Sequence, residues 1–457
     1  MKHLSAIQRR ACRWVVLALW LTAAPWTGAA DTLKWNHKEN RVAASFKGCS
    51  LDKFLEQLTD ATGWEIFVQP GTRQTISVKF ADRTPGDALR LLFGDLNFAL
   101  VPQTNGPAKF FVFRTTASEA TQPVKSVAKN GRIIPNELIV RLKPGQSIDA
   151  LAKKLGAKVI GRAGKFNAYR LQFESEEAAN AAREALKGES DVASVENNYE
   201  FPRPAEGAEN ASGNAPSLNL KPKPLSDSDR LVVGVLDTAV QAKAAGIQDF
   251  LLNPPADETG GDTPTHGTAM TEKILDVLSK LSQNGQTSVR IALGDIYHGN
   301  AYTTSFDIGQ GLIDIIEKYN PTVINISSGG KGDSAFLQDV TTWATQGGRF
   351  IFAAAGNDHS GDFTFPASYP GVTSVSSSDP SGNLASFANF NDAVALMLPG
   401  QSVVWLGNRL YLIEGTSVSS AAAAGAAAAA MDVMKLTPAQ ARELLFKTFG
   451  VKPGTKL

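Results

Sequence analysis

Apolar positions along this chain recur with two periods, and the switches between them mark its elements. In "CSLDKFLEQLTDATGWEIFV", Leu51, Phe54, Leu55 and Leu58 fall at helical spacing, and Gly63 ends the helix before an apolar strand. "TISVKFADRTPGDALRLLFGDLNFALVP" then reads as an alternating strand, a helix opened by Pro85 and another strand, and "AKFFVFR" supplies the last. Residues 31–116 thus predict a small α+β unit, and the polar "TTASEATQPVKSVAKN" makes 117–132 a linker. Residues 133–201 give a strand at "ELIVRLKP", a helix at "SIDALAKKLG", strands at "KVIGRAG" and "NAYRLQF", a helix at "SEEAANAAREALKG" and a strand at "VASVENNYEF".

That β-α-β-β-α-β order is ferredoxin-like, and it carries no cluster of chemically active side chains, so binding is its expected task. Residues 202–229, "PRPAEGAENASGNAPSLNLKPKPLSDSD", are rich in proline and small polar residues and predict an exposed, cleavable tether. From residue 230 to 457 apolar strands alternate with helices, the pattern of a mainly parallel α/β sheet. At the other end, Lys2, Arg9, Arg10 and Arg13 precede "WVVLALWLTAA" and "TGAAD", which makes 1–30 a secretory leader cut after Ala30. "QRRACR" holds a twin arginine in a context that suits the general secretory route better. The expected location is extracytoplasmic, and no later segment is long and apolar enough to span a bilayer.

Composition narrows the chemistry. A formal net charge of +1 on 457 residues argues against nucleic acid or an anionic membrane as the main partner. Of the two cysteines, Cys12 lies in the leader, so Cys49 alone remains and neither an internal disulfide nor a cysteine-based zinc site is expected. "ADETGGDT", with Asp257, Glu258 and Asp262, lacks the ligand spacing of a calcium loop and reads as a solvated turn. No metal or cofactor is expected.

Four short pieces in the last domain lie at predicted element ends. "LVVGVLDTAV" puts Asp237 at the C-terminal end of a buried strand, where open α/β sheets place their sites. "THGTAM" starts a helix at His266, "FIFAAAGND" brings Asn357 off a strand, and "GTSVSSAAAAG" sets Ser417 at a helix start. Each has an ordinary reading: a turn residue, a surface histidine, a strand running into a turn, a capped alanine helix.

Together, Asp-T, H-G-T, A-A-G-N and G-T-S in that order resemble the subtilisin-like (S8) serine protease family. "VINISSGG", "FPASYPGVTSVSS" and "LASFANFNDAVALMLPG" agree with the family's flanking segments. The resemblance implies a three-layer α/β peptidase domain over 230–457 and makes the ferredoxin-like unit an inhibitor-type propeptide. It implies Asp237, His266 and Ser417 as the catalytic triad and Asn357 as the oxyanion residue. It further implies that Ser327, Ser328 and Gly329 pair with the substrate backbone, while Ala354, Ala355 and Gly356 wall the P1 pocket. Asp358 at the rim leaves apolar and basic P1 side chains both open. His298 and His359, the other histidines of this domain, lack the H-G-T helix start. Departures are Ala239 for the family's glycine after Asp-T, "HGTAMTE", and "VSSA" in place of M-A-x-P after the serine. The first module resembles the short N-terminal domain of secretins and TonB-dependent receptors, on "SVKF" and the apolar spacing.

The expected function is an exported serine endopeptidase made as a zymogen. It acts on protein or peptide substrates, is restrained by its own propeptide in cis, and is cut between Tyr199 and Ser228. A cell-envelope partner is expected for the first module. The competing expectation is a catalytically inactive or very slow binding protein on a protease scaffold.

Overall fold

The computed structural model describes residues 32–36, 41–62, 64–102, 108–124, 131–204, 209–211, 218–224, 230–256, 261–282, 284–407 and 409–451. The leader, Gly63, Asp257 and Glu258 lie outside them. Two compact units emerge, one over residues 26–130 and one from residue 131 onward.

In the first unit, β1 (Thr32–Asn36), β2 (Arg41–Ser50) and β4 (Thr75–Arg83) form one sheet, in that order. Strands β3 (Glu65–Val68), β5 (Asn97–Val101), β6 (Lys109–Phe113) and β7 (Gln122–Pro123) form a second, ordered β5-β6-β3-β7. Helices α1 (Leu51–Thr62) and α2 (Pro85–Phe93) bury Phe54, Leu55, Leu58 and Phe93 against Phe110 and Phe46. Cys49 is buried in this core as a free thiol. Two features differ from the expectation. β1, only five residues long, and β2, whose alternation small residues blunt, are unforeseen, and β7 pairs with β3, so the start of the expected linker belongs to this unit.

The second unit opens with β8 (Arg132–Leu142), α3 (Ile148–Leu155), β9 (Lys158–Ala163), β10 (Ala168–Gln172), α4 (Glu176–Leu186) and β11 (Val192–Pro202). Their antiparallel order, β11-β8-β10-β9, is that of a ferredoxin-like sheet. One face holds Leu138, Val140 and Leu142 on its own helices. Ile139 and Ala168, on the other face, join the core of the following domain. Short segments β12 (Glu209–Ala211) and β13 (Lys221–Pro222) follow.

Strands β14 (Leu231–Asp237), β16 (Val289–Asp295), β18 (Val323–Ile326), β19 (Phe350–Ala354), β20 (Thr373–Ser378) and β21 (Val394–Pro399) make a parallel sheet ordered β16-β14-β18-β19-β20-β21. The remaining strands are β15 (Gln286–Thr287), β17 (Tyr302–Thr304), β22 (Gln401–Leu406) and β23 (Arg409–Glu414). Strand side chains alternate between two cores. Val233 and Val235 face α5 (His266–Leu281) and α8 (Thr416–Asp432), whereas Val232 and Leu236 face α6 (Ser305–Tyr319) and α7 (Ala335–Gln346). The result is a three-layer α/β domain, closed by α9 (Pro438–Phe449). The chain leaves β14 for β16 on one side and later returns to β18 on the other, so a topological switch point lies between β14 and β18.

The stretch 218–224 is not the free tether that its composition suggests. Leu220 is buried in the core, and the main chain of Lys221 and Lys223 donates to Gly285 and Thr287. One leucine between prolines and lysines is enough to seat it.

Helix α8 is buried along its whole length. A Cβ on Gly425 would lie 3.0 Å from the Ile274 carbonyl oxygen of α5. Gly425 follows Ser417 by eight residues and Ile274 follows His266 by eight, so the close crossing sets both helix starts about 12 Å away at the same end. The far end is held by Asp432, whose carboxylate accepts from Thr287 Oγ1 at 2.6 Å and Ser288 N at 3.1 Å. Gly425→Val is expected to destabilise the Ser417→Ala chain by about 1–3 kcal/mol; an unchanged denaturant midpoint would mean that the crossing tolerates the added bulk.

Candidate active site

Asp237 ends β14 with 1% exposure, and its carboxylate spans the His266 ring: Nδ1 lies 2.8 Å from Oδ1 and 3.0 Å from Oδ2. The Thr238 N–H also donates to Oδ1, at 2.7 Å. His266 is the first residue of α5, and Thr265 caps it, its hydroxyl accepting from Thr268 N and donating to the Ala239 carbonyl at 2.6 Å. Gly267 is required here, since a Cβ would meet the Thr238 carbonyl oxygen at 2.1 Å. The closeness of α5 to the loop after Asp237 thus accounts for H-G-T.

Gln241, missed in the sequence, ties the two segments. Its Oε1 accepts from Thr265 N at 2.8 Å, its Nε2 donates to the Gly261 and Thr263 carbonyls, and its own N–H donates to Thr268 Oγ1. Ala239, the departure from the family pattern, leaves this arrangement intact.

Ser417 is the second residue of α8, behind Gly415, whose φ of 150° suits glycine. Its carbonyl accepts from Ser327 Oγ at 3.2 Å, and its hydroxyl donates to the Ser327 carbonyl at 3.5 Å. Leu236 pairs with Ile326, so Asp237 and Ser327 are the next residues along neighbouring strands, which lie about 4.8 Å apart. His266 is fixed to one strand end and Ser417 to the other.

Below this junction, buried Asn325 donates to Ser327 Oγ at 2.8 Å and accepts from Ser420 Oγ at 2.7 Å, and Ser419 donates to the Leu398 carbonyl. A polar residue inside the apolar run "VINIS" was the available sign of Asn325.

Asn357 stands three residues beyond β19. Its Oδ1 accepts from Thr416 N at 2.8 Å and Thr416 Oγ1 at 2.9 Å, which fixes the amide and leaves Nδ2 on the side of Gly415. The neighbouring wall, Ala354, Ala355 and Gly356, is held by another residue that went unpredicted. Buried Asn389 donates to the Ala355 carbonyl at 3.0 Å and accepts from Asp358 N and Ser360 N. Gly356 has φ 106° and no room for a Cβ, which would lie 2.3 Å from Asn389 Nδ2. Ser328 accepts from the Tyr297 hydroxyl at 3.0 Å, and Gly329 packs on Thr364. Of the other histidines, His298 is exposed and His359 meets the Phe390 ring edge-on. Among the described residues no group of three or more His, Cys, Asp or Glu side chains could hold a metal ion.

The ferredoxin-like unit docks beside this site. Glu196 accepts from Ala335 N, Phe336 N and Ser334 Oγ at the start of α7. Asn198 accepts from Ser305 Oγ and Phe306 N at the start of α6. The Arg170 guanidinium bridges Glu137 of its own unit and Asp307 of α6. β11 pairs antiparallel with β17, and buried Phe201 lies against Gly330.

The chain belongs to the subtilase family, whose Peptidase S8 model matches residues 228–456. The fervidolysin N-terminal prodomain matches residues 119–198. A thermostable alkaline protease of Halalkalibacterium halodurans is 28% identical over 195 residues, covering 41% of this chain and 53% of that protein. The chain spans about half the length of several curated relatives it matches. Among solved structures, the epidermin leader peptide processing serine protease EpiP of Staphylococcus aureus superposes with a TM-score of 0.53 at 18% identity, over 70% of this chain and 95% of that one. Fervidolysin of Fervidobacterium pennivorans, described as a keratinolytic enzyme related to subtilisin, gives 0.53 at 17% identity, over 67% of this chain and 56% of its own. These likenesses establish the fold.

Behind His266, Glu272 of α5 is buried, with Oε2 accepting from Trp405 N at 2.9 Å and no hydrogen-bond partner for Oε1. Burial pushes its carboxyl well above the usual carboxylate range, opposed by the Trp405 N–H and reinforced by Asp276. A raised folded-state pKa means that this group's contribution is full below its unfolded value of about 4.3 and is lost as pH rises through the folded value. Glu272→Gln keeps an acceptor for Trp405 and removes the charge. In the Ser417→Ala background, its Tm relative to the parent is expected to climb with pH; a pH-independent difference would show that Glu272 stays neutral or well solvated.

Proposed function

We propose that this chain is an exported serine endopeptidase made as a zymogen. The carrying observation is buried Asp237 paired with His266 on one strand end beside Ser417 on the next. In this reading Ser417 Oγ attacks the peptide carbonyl while His266 Nε2 takes its proton. Asp237 holds Nδ1–H and stabilises the imidazolium. The tetrahedral oxyanion would be met by Asn357 Nδ2 and the Ser417 N–H, and by the positive end of α8. Collapse expels the amine with the proton from His266, and water then resolves the acyl-enzyme by the same route. The hydroxyl must first turn from the Ser327 carbonyl toward His266, a step that substrate binding would drive.

The substrate backbone would pair with Ser327, Ser328 and Gly329, and the P1 side chain would enter between Ala354, Ala355 and Gly356. The docked ferredoxin-like unit acts as the inhibitor in cis. Buried Leu220 keeps the chain around it on the peptidase domain. The maturation cut falls between Tyr199 and Ser228. Residues 31–116 leave with the propeptide and guide the precursor to a partner in the cell envelope.

The Ser417–Ser327 bond is also what an inactive binding protein would show. Intact mass of residues 31–457 beside Ser417→Ala separates the readings: the wild type alone splits, and a fluorophosphonate probe labels it at Ser417. Two unsplit, unlabelled chains would favour the binding protein. Val418, buried next to the nucleophile, carries no oxidisable thioether, so turnover is expected to survive mild peroxide; rapid loss without modification elsewhere would contradict this.

A further inference from the structure

The small walls at Ala354, Ala355 and Gly356 suit many P1 side chains, and what stands between the walls decides which of them fit. Residues 327–329 run off β18 and residues 354–356 off β19, and these two strands pair directly. A Cβ on Gly329 would lie 2.6 Å from Thr364 Cγ2 and 3.7 Å from the Ala354 carbonyl oxygen. A Cβ on Gly356 would lie 2.9 Å from Thr364 Oγ1. Glycines of the two walls therefore face one side chain, its methyl toward the first and its hydroxyl toward the second.

Thr364 is fixed in that place. It is buried, Asn389 Nδ2 donates to its hydroxyl at 3.3 Å, and Ser368 N donates to its carbonyl at 2.8 Å. The next residue, Phe365, exchanges main-chain hydrogen bonds with Gly330 at 2.7 and 3.1 Å. Asn389 also holds the Ala355 carbonyl, so floor and wall share one anchor. A β-branched side chain has few rotamers, and this one cannot swing aside without leaving its partners. The acidic residues of the same loop offer an entering cation little: Asp362 pairs with Lys331 at 2.9 Å, and Asp358 is exposed, where solvent screens it.

We propose that Thr364 closes the P1 pocket, so that the enzyme cuts after small uncharged side chains such as alanine and serine. The inference rests on the peptidase reading above. Phenylalanine or arginine at P1 would have to displace a buried threonine that is held at its hydroxyl and along its main chain, and overfilling a packed site is costly. The arginine would also give up its water for a single hydroxyl. Thr364 selects which bond is cut and takes no part in cutting it.

The test uses residues 31–457 after self-cleavage and internally quenched peptides identical except for alanine, phenylalanine or arginine at P1. The wild type is expected to show kcat/KM about tenfold higher for alanine than for either large residue. Thr364→Gly opens the floor and is expected to raise the phenylalanine-to-alanine ratio about tenfold. Thr364→Ser keeps the hydroxyl for Asn389 and removes only the methyl facing Gly329; it moves the ratio the same way by less, and it serves if the glycine variant fails to mature. Thr364→Val keeps the bulk and is expected to hold the wild-type ratio. A wild type that cuts after phenylalanine or arginine as readily as after alanine would overturn the closed pocket and leave the peptidase reading standing. An unchanged ratio in Thr364→Gly and Thr364→Ser would do the same. No turnover on any peptide and no fluorophosphonate label would remove the peptidase reading and this inference with it.

Discussion

A carboxylate at the inner end of a buried parallel strand must be compensated, because an isolated charge in such a place is costly. Asp237 meets this constraint with the His266 ring and the Thr238 N–H. The consequences spread outward. To bring the ring there, α5 must start against the loop after β14, which requires Gly267 and is held by Thr265 and Gln241. To bring a hydroxyl to the neighbouring strand end, α8 must cross α5 closely, which requires Gly425 and a helix of alanines. The local sequence rules of this domain are largely answers to that one charge.

The second organising contact is the docking of the ferredoxin-like unit. Its Glu196 and Asn198 satisfy backbone donors at the starts of α7 and α6, and Arg170 spans both domains. Acceptors on a strand therefore position β11 against β17.

Much of this was legible in the sequence, for identifiable reasons. A helix start at His266 and another just before Ser417, a strand ending at Asp237 and one ending shortly before Asn357, follow from apolar runs that stop at polar residues; the ferredoxin-like order follows from clean periodicity. What escaped was carried by single residues acting at a distance. Gln241, Asn325 and Asn389 are polar residues whose partners lie remote in sequence, so no local pattern identifies them. Residues 218–224 look like tether because one buried leucine, Leu220, does not disturb a proline-rich composition. β7 and β12 are only two and three residues long and exist through their partners, not through their own propensity.

The alanine helix has a further consequence, concerning motion along its own axis. A rod studded only with methyl groups has a nearly smooth surface, and smooth surfaces resist separation better than sliding. One residue of slip is a displacement of about 1.5 Å, enough to spoil alignment at a reacting centre. Stops are therefore needed, and they stand at both ends: Ser419 and Ser420 on Leu398 and Asn325, Asp432 on Thr287 and Ser288. α8 acts as a shaft in a plain bearing, with its polar ends serving as thrust collars that fix the depth at which Ser417 stands.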